Sequence, residues 1–432
     1  MISVITPTHN TKFLPQVAES LRKQTYPEPW EWVVVLNNGA EYTNSDSEKA
    51  LLRQIDPFTI RVVDANQETL SGVGAIKKFA FAQAKGDILV ELDHDDLLTP
   101  EALAEIAKAF EDPTVGFVYS NFAEYEDITN EAHRYNAAWG WRYRDYELDG
   151  TVYAENLGFD PTAHSICSIY FAPNHLRAWR RSVYEQIGGH DASLPVADDH
   201  DLVCRTYLVT KMVHLDQCLY LYRLHQDAES GLRNTYREHF DQVQTLAHRV
   251  QAKYLDQVVE RWADLTSGVM IDLCSGGRAP SGYLSIDLRK GFLKADLEED
   301  FPFPDNSVAV VRAFDALEHL KDPIHTMNEI YRVLQPGGWL LSHTPSTTGP
   351  NGEAGSGAFQ DPTHISFWNA NSFWYWTQRE LAQYIEGTGR FQAVRVETHY
   401  PTPQHQNSHI PYVRADLVAV KGDYRVPGLV QI

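Results

Sequence analysis

The sequence predicts an α/β protein made of two successive sheet-and-helix units. Three observations carry this. Strand and helix signals alternate along the first ninety residues, the alternation restarts near Val269, and a long amphipathic stretch with no Gly/Ser linker lies between.

In the first unit, residues 2–5 form an apolar run ending in Thr6-Pro7-Thr8. Residues 13–24 set Leu14, Val17, Ala18 and Leu21 on one helical face. Residues 32–36 read as a buried strand that stops at Asn37-Asn38-Gly39. A helix at 47–55, a strand at 60–63, a helix at 73–84 and a strand at 88–92 follow. Residues 120–180 are rich in Tyr, Trp and His and read as loop-rich, their aromatics serving either a core or a platform for sugar rings. Residues 236–264 form one amphipathic helix along Val243, Leu246, Val250, Tyr254 and Val258. The second unit has strands at 269–273, 283–287, 308–313 and 339–343, helices at 324–334 and 371–386, and a closing antiparallel pair at 391–397 and 413–421. The expected domains are 1–235 and 265–432, with 236–264 as a helical connector.

The 432 residues carry a net charge of −21, which argues against a nucleic-acid partner, since phosphate backbones demand Lys and Arg. A small anionic ligand remains compatible if a metal supplies positive charge. The four cysteines are widely spaced with no C-x-x-C, as expected of reduced thiols in a cytoplasmic protein. The opening MISVITPTHN reads as a strand and not as a leader, and no run of about eighteen apolar residues suggests a transmembrane segment. Peripheral contact with a membrane-bound acceptor stays open.

Ligands of open α/β sheets bind beyond the carboxyl ends of strands. Asp93-His94-Asp95-Asp96 stands there. Carboxylates so crowded repel one another unless a cation is present, and a hard divalent metal would keep sites for diphosphate oxygens. Taken alone, the cluster reads equally well as an acidic turn before a helix. Asp198-Asp199-His200-Asp201 opens a later helix, where a carboxylate serves either as general base or as N-cap. Tyr222-Arg223-Leu224-His225 follows.

The order T-P-T-x-N, Q-T-Y, N-N-G, G-V-G-A-I-K-K, A-K-G-D, D-H-D-D, G-G-H-D, D-D-H-D-L and Y-R-L-H over residues 1–235 resembles glycosyltransferase family 2. The resemblance implies a GT-A fold, inversion at the anomeric carbon, a nucleotide-sugar donor (a UDP-sugar by default), a glycan or glycoconjugate acceptor, and Mn²⁺ or Mg²⁺. It implies Asp93 and Asp95 at the metal and diphosphate, His225 closing the metal site, and Asp199 as base. Thr6, Pro7, Asn38, Asp64 and Lys77 would line the donor nucleotide. Asn38 stands where the family usually has an acid, Lys77-Lys78 replaces an Arg-Asn pair, and Asp198-Asp199 replaces Glu-Asp. A nucleotidyltransferase is the rival within the same fold and would not need Asp199.

In the second unit, residues 269–273 run into Cys274-Ser275-Gly276-Gly277, and Asp287 ends the next strand. A nicotinamide enzyme is the natural competitor, but G-x-G-x-x-G is absent. The strings F-P-F-P-D-N-S, D-A-L-E-H-L and E-I-Y-R-V-L-Q-P-G-G resemble class I S-adenosylmethionine-dependent methyltransferases over 265–432. The resemblance implies a Rossmann-like fold, with Asp272, Gly276 and Gly277 around the methionine moiety and Asp287 on the ribose. Asp296 and Leu297 would lie by the adenine, with Phe314 and Asp315 lining the pocket. Cys274 replaces the first glycine of the motif, and 278–282 is too short for the usual first helix. Methyl transfer to a hydroxyl needs a base or a well-aligned acceptor: His364, beyond a Gly-rich loop, is the candidate base, with His319 and His343 as rivals, and each reads equally well as a hydrogen-bonded structural histidine. A methyltransferase-like module that only binds is the alternative.

Overall fold

The computed structural model describes the backbone of residues 1–40, 58–68, 70–126, 131–169, 172–194, 196–225, 236–288, 293–429 and 431, and side chains except those of 236–242. The helix expected at 47–55 lies outside the described residues. The chain forms two compact units, residues 1–137 with 141–258, and residues 259–432 with 138–140.

The first unit is one mixed sheet. Strand β1 (Ile2–Thr8) is followed by helix α1 (Leu14–Arg22), β2 (Trp30–Leu36), β3 (Phe58–Asp64), α2 (Val73–Gln83) and β4 (Ile88–Glu91). β1 pairs in parallel with β2 and β4, and β2 with β3. After β4 come β5 (Leu97–Leu98), α3 (Ala102–Ala109), β6 (Val115–Glu126), β7 (Arg142–Leu148), β8 (Thr151–Leu157), β9 (Arg177–Arg180), α4 (Asp198–Val209) and β10 (Lys211–Leu224). The sheet runs β3-β2-β1-β4-β9-β6-β10-β5, with β9 antiparallel to its neighbours and β10 parallel to β6. Trp30, Trp32, Phe117, Phe122 and Trp179 are almost wholly buried in it.

The stretch 120–180 is more regular than its composition suggests. β6 extends to Glu126, and β7 and β8 form a hairpin. Asp149 (φ 51°) and Gly150 (φ 78°) make its turn, where both central residues need positive φ. Trp141 packs into a small core with Phe159, Ile169 and Ala172. Helix α5 (Tyr236–Leu265) has the expected amphipathic spacing, with Val250, Tyr254 and Val258 buried.

The second unit contains β11 (Val269–Leu273), β12 (Leu284–Asp287), β13 (Leu293–Lys294), β14 (Val308–Phe314), α6 (Pro323–Val333), β15 (Leu334–Pro345), β16 (Phe391–His399) and β17 (Tyr412–Ala419). Its order is β13-β12-β11-β14-β15-β17-β16. The strands are parallel as far as β15, and β17 and β16 close it antiparallel, as the spacing of the last two strands predicts. The single helix expected at 371–386 is instead three short helical pieces, Ala370–Phe373, Trp374–Thr377 and Arg379–Ala382. Gln378 is extended (φ −128°, ψ 127°) and breaks the run. Among the described residues no helix is long and apolar enough to cross a membrane.

Candidate functional sites

In the first unit, parallel pairing brings the ends of β1, β2, β3 and β4 to one edge. Thr6 is buried at the end of β1, and its hydroxyl accepts the Trp32 indole N–H at 2.9 Å, so its side chain serves the core. Pro7 pairs with Val35 alongside it. Asn38 turns the chain after β2 with φ 57°. Asp64 ends β3 and accepts the Asn66 N–H at 2.9 Å. Asn66 in turn accepts from Gly39 N at 2.8 Å and donates to Ala40 O at 3.0 Å, joining the two strand ends.

The acidic turn follows β4. Asp95 Oδ2 and His225 Nε2 lie 3.0 Å apart, so the structure brings these two sequence-predicted residues together. Asp93 lies 3.7 Å from His175 Nε2 and 3.6 Å from Lys77 Nζ. Asp93, Asp96 and His175 can converge on one ion, their donor atoms lying within 4.8 Å of one another. Asp96 also accepts the Tyr220 hydroxyl at 2.7 Å and the Arg223 N–H at 2.8 Å, tying the turn to β10. Burial, then Asp95 and Asp93, push the Asp96 carboxyl well above its usual range. Burial opposes ionisation of Asp95 too, but His225 and His94 hold it down. Carboxylates in conflict, with imidazoles beside them, fit a divalent cation.

Sequence reasoning missed His175, Arg177 and Glu91. Arg177 Nε lies 2.9 Å from Glu91 and its Nη1 donates to Asp199 Oδ2 at 2.9 Å, while Lys77 pairs with Glu91 on the other side. Glu91 and Arg177 are buried and Lys77 and Asp199 partly so, and the two central charges persist only as a pair. Asp199 opens α4. Burial would raise its carboxyl, yet Arg177, then Lys77, hold it at about 2. Its neighbour Asp198 is pushed up to about 7 by burial, then by Asp199. Burial holds His175 down to about 4. Nothing in the local sequence marks Glu91, since it reads as the end of an apolar strand.

In the second unit, the turn after β11 carries Cys274 at φ 53°, Gly276 at 56° and Gly277 at 79°. Cys274 thus takes the left-handed conformation that glycine adopts freely. Gly276 N donates to Asp287 Oδ2 at 2.9 Å, joining the turn to the carboxylate ending β12. Such a backbone cradle with an acid beside it fits a nucleoside ligand. Asp272 receives Arg312 Nη1 on both oxygens, at 2.8 and 2.9 Å. Phe314 has the Arg312 guanidinium 3.8 Å and the Arg414 guanidinium 4.7 Å from its ring centre. Asp315 follows with φ 50°, its N–H on His343 O at 2.9 Å. Asp296 accepts the Glu298 N–H at 3.1 Å, and Leu297 is buried. The three candidate histidines separate into two places. His343 stacks on His399, their Nε2 atoms 3.3 Å apart, whereas His364 and His319 meet edge to face with centroids 5.1 Å apart.

Residues 3–188 match the model for glycosyl transferase family 2, and residues 267–342 match a model for a methyltransferase domain. The chain therefore carries a family 2 glycosyltransferase domain on a mixed α/β sheet, followed by a methyltransferase domain. Glycosyltransferase GlyG of Streptococcus pneumoniae is 22% identical over 225 residues, covering 52% of this chain and 70% of that protein. A probable S-adenosylmethionine-dependent methyltransferase of Mycolicibacterium smegmatis is 31% identical over 121 residues, 26% of this chain and 45% of that protein, so the match spans less than half of that relative. A crystal structure of S. aureus TarS 1-349 in complex with UDP-GlcNAc has a TM-score of 0.41 and 16% identity, over 61% of this chain and 72% of that one.

Proposed function

We propose that residues 1–235 transfer a sugar, with inversion, from a nucleoside-diphosphate sugar to an acceptor hydroxyl, and that residues 265–432 O-methylate the glycan or a related sugar, with 236–264 connecting them. The observation that carries the first half is the set of Asp93, Asp95, His175 and His225 at one strand edge, linked through Lys77, Glu91 and Arg177 to Asp199. Asp93 and Asp95 would hold the cation with His225. When bound, the cation offsets the charge of the departing nucleoside diphosphate. Asp199 accepts the acceptor's proton, and Arg177 sets the orientation of its carboxylate. Disengaging from Arg177 as the acceptor enters would raise its basicity toward a useful range. Asn38, Asp64 and Pro7, at the ends of β2, β3 and β1, would border the nucleobase.

For the second half, Asp287 and the 274–277 turn would take the ribose and methionine portions of S-adenosylmethionine, with Asp296, Leu297, Phe314 and Asp315 lining the cleft. Fusing two activities raises the local concentration of a shared intermediate. Purified protein supplied with labelled donor sugar, labelled S-adenosylmethionine and candidate acceptors should give a product bearing both labels; single-labelled products alone would sink the coupling.

One observation favours a second reading, in which the methyltransferase domain only binds. Asp272, expected around the methionine moiety, has both carboxylate oxygens engaged by Arg312. Calorimetry with S-adenosylmethionine separates the readings, since a degenerate pocket gives no heat of binding.

A further inference from the structure

We infer that the methyltransferase unit contains a divalent-cation site made of Glu318, His319 and His364. Their donor atoms lie within 4.8 Å of one another, against separations of about 3–3.5 Å for donors bound at ~2.1 Å, so a small inward rotation completes a site.

Three features make it a built site. The first is tautomer control. His319 Nδ1 lies 3.1 Å from Thr363 O, and His364 Nδ1 lies 3.1 Å from Ala358 O. A ring nitrogen that donates to a backbone carbonyl leaves Nε2 unprotonated, which is how proteins commonly present imidazole to a metal. The second is the carboxylate. Glu318 is 2% exposed; Oε2 accepts the Thr344 hydroxyl at 2.6 Å, while Oε1 is buried with no hydrogen-bond donor among the described residues. A buried, unmatched carboxylate oxygen is costly unless a cation or proton satisfies it. The third is backbone stapling. Ile365 N and Ser366 N both donate to Glu318 O, at 2.8 and 3.1 Å, and the Ser366 hydroxyl donates to Leu317 O at 2.7 Å. These bonds hold the segment carrying His364 against the turn carrying Glu318 and His319.

Two imidazoles and one carboxylate suit Mn²⁺, Fe²⁺, Co²⁺ or Zn²⁺ and leave positions open for oxygen ligands. The turn leads directly from Asp315, beyond the carboxyl end of β14, the edge of the parallel strands at which β11 and β12 deliver Cys274 and Asp287. The ligand class for the open positions is a hydroxyl of a sugar; this use rests on the methyl-transfer reading above. The bound hydroxyl gives its proton to solvent, and its oxygen lone pair forms the new bond to the methyl carbon. The sulfur–methyl bond breaks, and its electron pair returns the sulfonium to a neutral thioether. His364 then acts as a ligand, in place of the free base expected from the sequence.

The test uses full-length protein, Co²⁺ as probe and visible absorption as readout, with S-adenosylhomocysteine calorimetry run in parallel. The native chain should show a cobalt component with one-to-one stoichiometry that survives Asp95→Asn. His319→Ala and His364→Ala should each weaken it by at least roughly 10–100-fold. Complete loss of cobalt binding in Asp95→Asn overturns the site without touching either histidine. So do unchanged spectra in both histidine variants. If S-adenosylhomocysteine still binds in those cases, the methyl-transfer reading stands and only the metal site falls. If the native chain binds cobalt in this way but no S-adenosylhomocysteine, the metal site stands and the methyl-transfer reading falls.

Discussion

Both sites lie at the carboxyl ends of parallel strands, yet they manage charge in opposite ways. At the first, Lys77, Glu91, Arg177 and Asp199 form a continuous network around a buried Glu91–Arg177 pair, in which each ion leans on the next. At the second, Asp272 has Arg312 as its one cationic partner among the described residues, and the guanidiniums of Arg312 and Arg414 both lie against the Phe314 ring. A buried network fixes positions strictly and fails as a whole; an isolated pair with an aromatic stack can lose a member and relax. The lesson concerns demands. On the proposed functions, a site that must separate a sugar from a diphosphate has to hold net charge out of water, whereas one that cradles a nucleoside relies on backbone shape and flat surfaces.

The sharpest way to break this contrast is Asp199→Asn. Glycosyl transfer should fall by about 10²–10⁴-fold with methyl transfer unchanged, measured with separate labelled donors. Retained glycosyl transfer would remove Asp199 from the role of base; sugar-nucleotide formation that survives the substitution, with no glycosyl transfer in either protein, would favour the nucleotidyltransferase alternative. Next is a matched pair, Arg177→Met and Arg312→Met. The first strands Glu91 and Asp199 and should lose about 3–5 kcal/mol in urea unfolding. The second should lose less than about 3 kcal/mol, because Asp272, already pushed up by burial, can take a proton. Equal losses would erase the distinction. A third test is pH. Asp198 binds its proton more tightly in the folded state, at about 7 against an ordinary 3.8. Stability should therefore fall as pH rises between about 4 and about 7, by up to ~1.4 kcal/mol per unit, and Asp198→Asn should flatten that slope. Asp199, held low, contributes in the opposite sense and only as pH drops from about 4 toward about 2. The smallest effect is expected from Asp287→Ala, which removes charged hydrogen bonds worth about 1.5–3 kcal/mol and should weaken S-adenosylhomocysteine binding about 10–100-fold while sparing glycosyl transfer.

The sequence made the alternating strands legible because apolar runs such as 32–36 and 269–273 are self-evident, and it marked the acidic turn, Asp199 and His225 because clustered charge at a strand end is rare. It hid the β7–β8 hairpin, whose strands alternate charged and aromatic residues with little aliphatic content and whose Asp149-Gly150 turn was its only clear signal. It also hid the network. Glu91 and Arg177 are far apart in the chain and become partners only because β4 and β9 are adjacent antiparallel strands. His175 follows the same logic, reaching Asp93 from the approach to β9. Pairing across a sheet is information that local spacing does not contain.

At Cys274, residue type and backbone conformation part company. Its side chain departs from the expected glycine while its main-chain angles comply. Substituting glycine there should therefore leave the turn's path intact and relieve roughly 1 kcal/mol of backbone strain, offset in part by a looser unfolded chain. What heredity must preserve at this spot is a torsion angle, and any pattern that recognises such turns by their letters alone will pass over chains that spell the same bend differently.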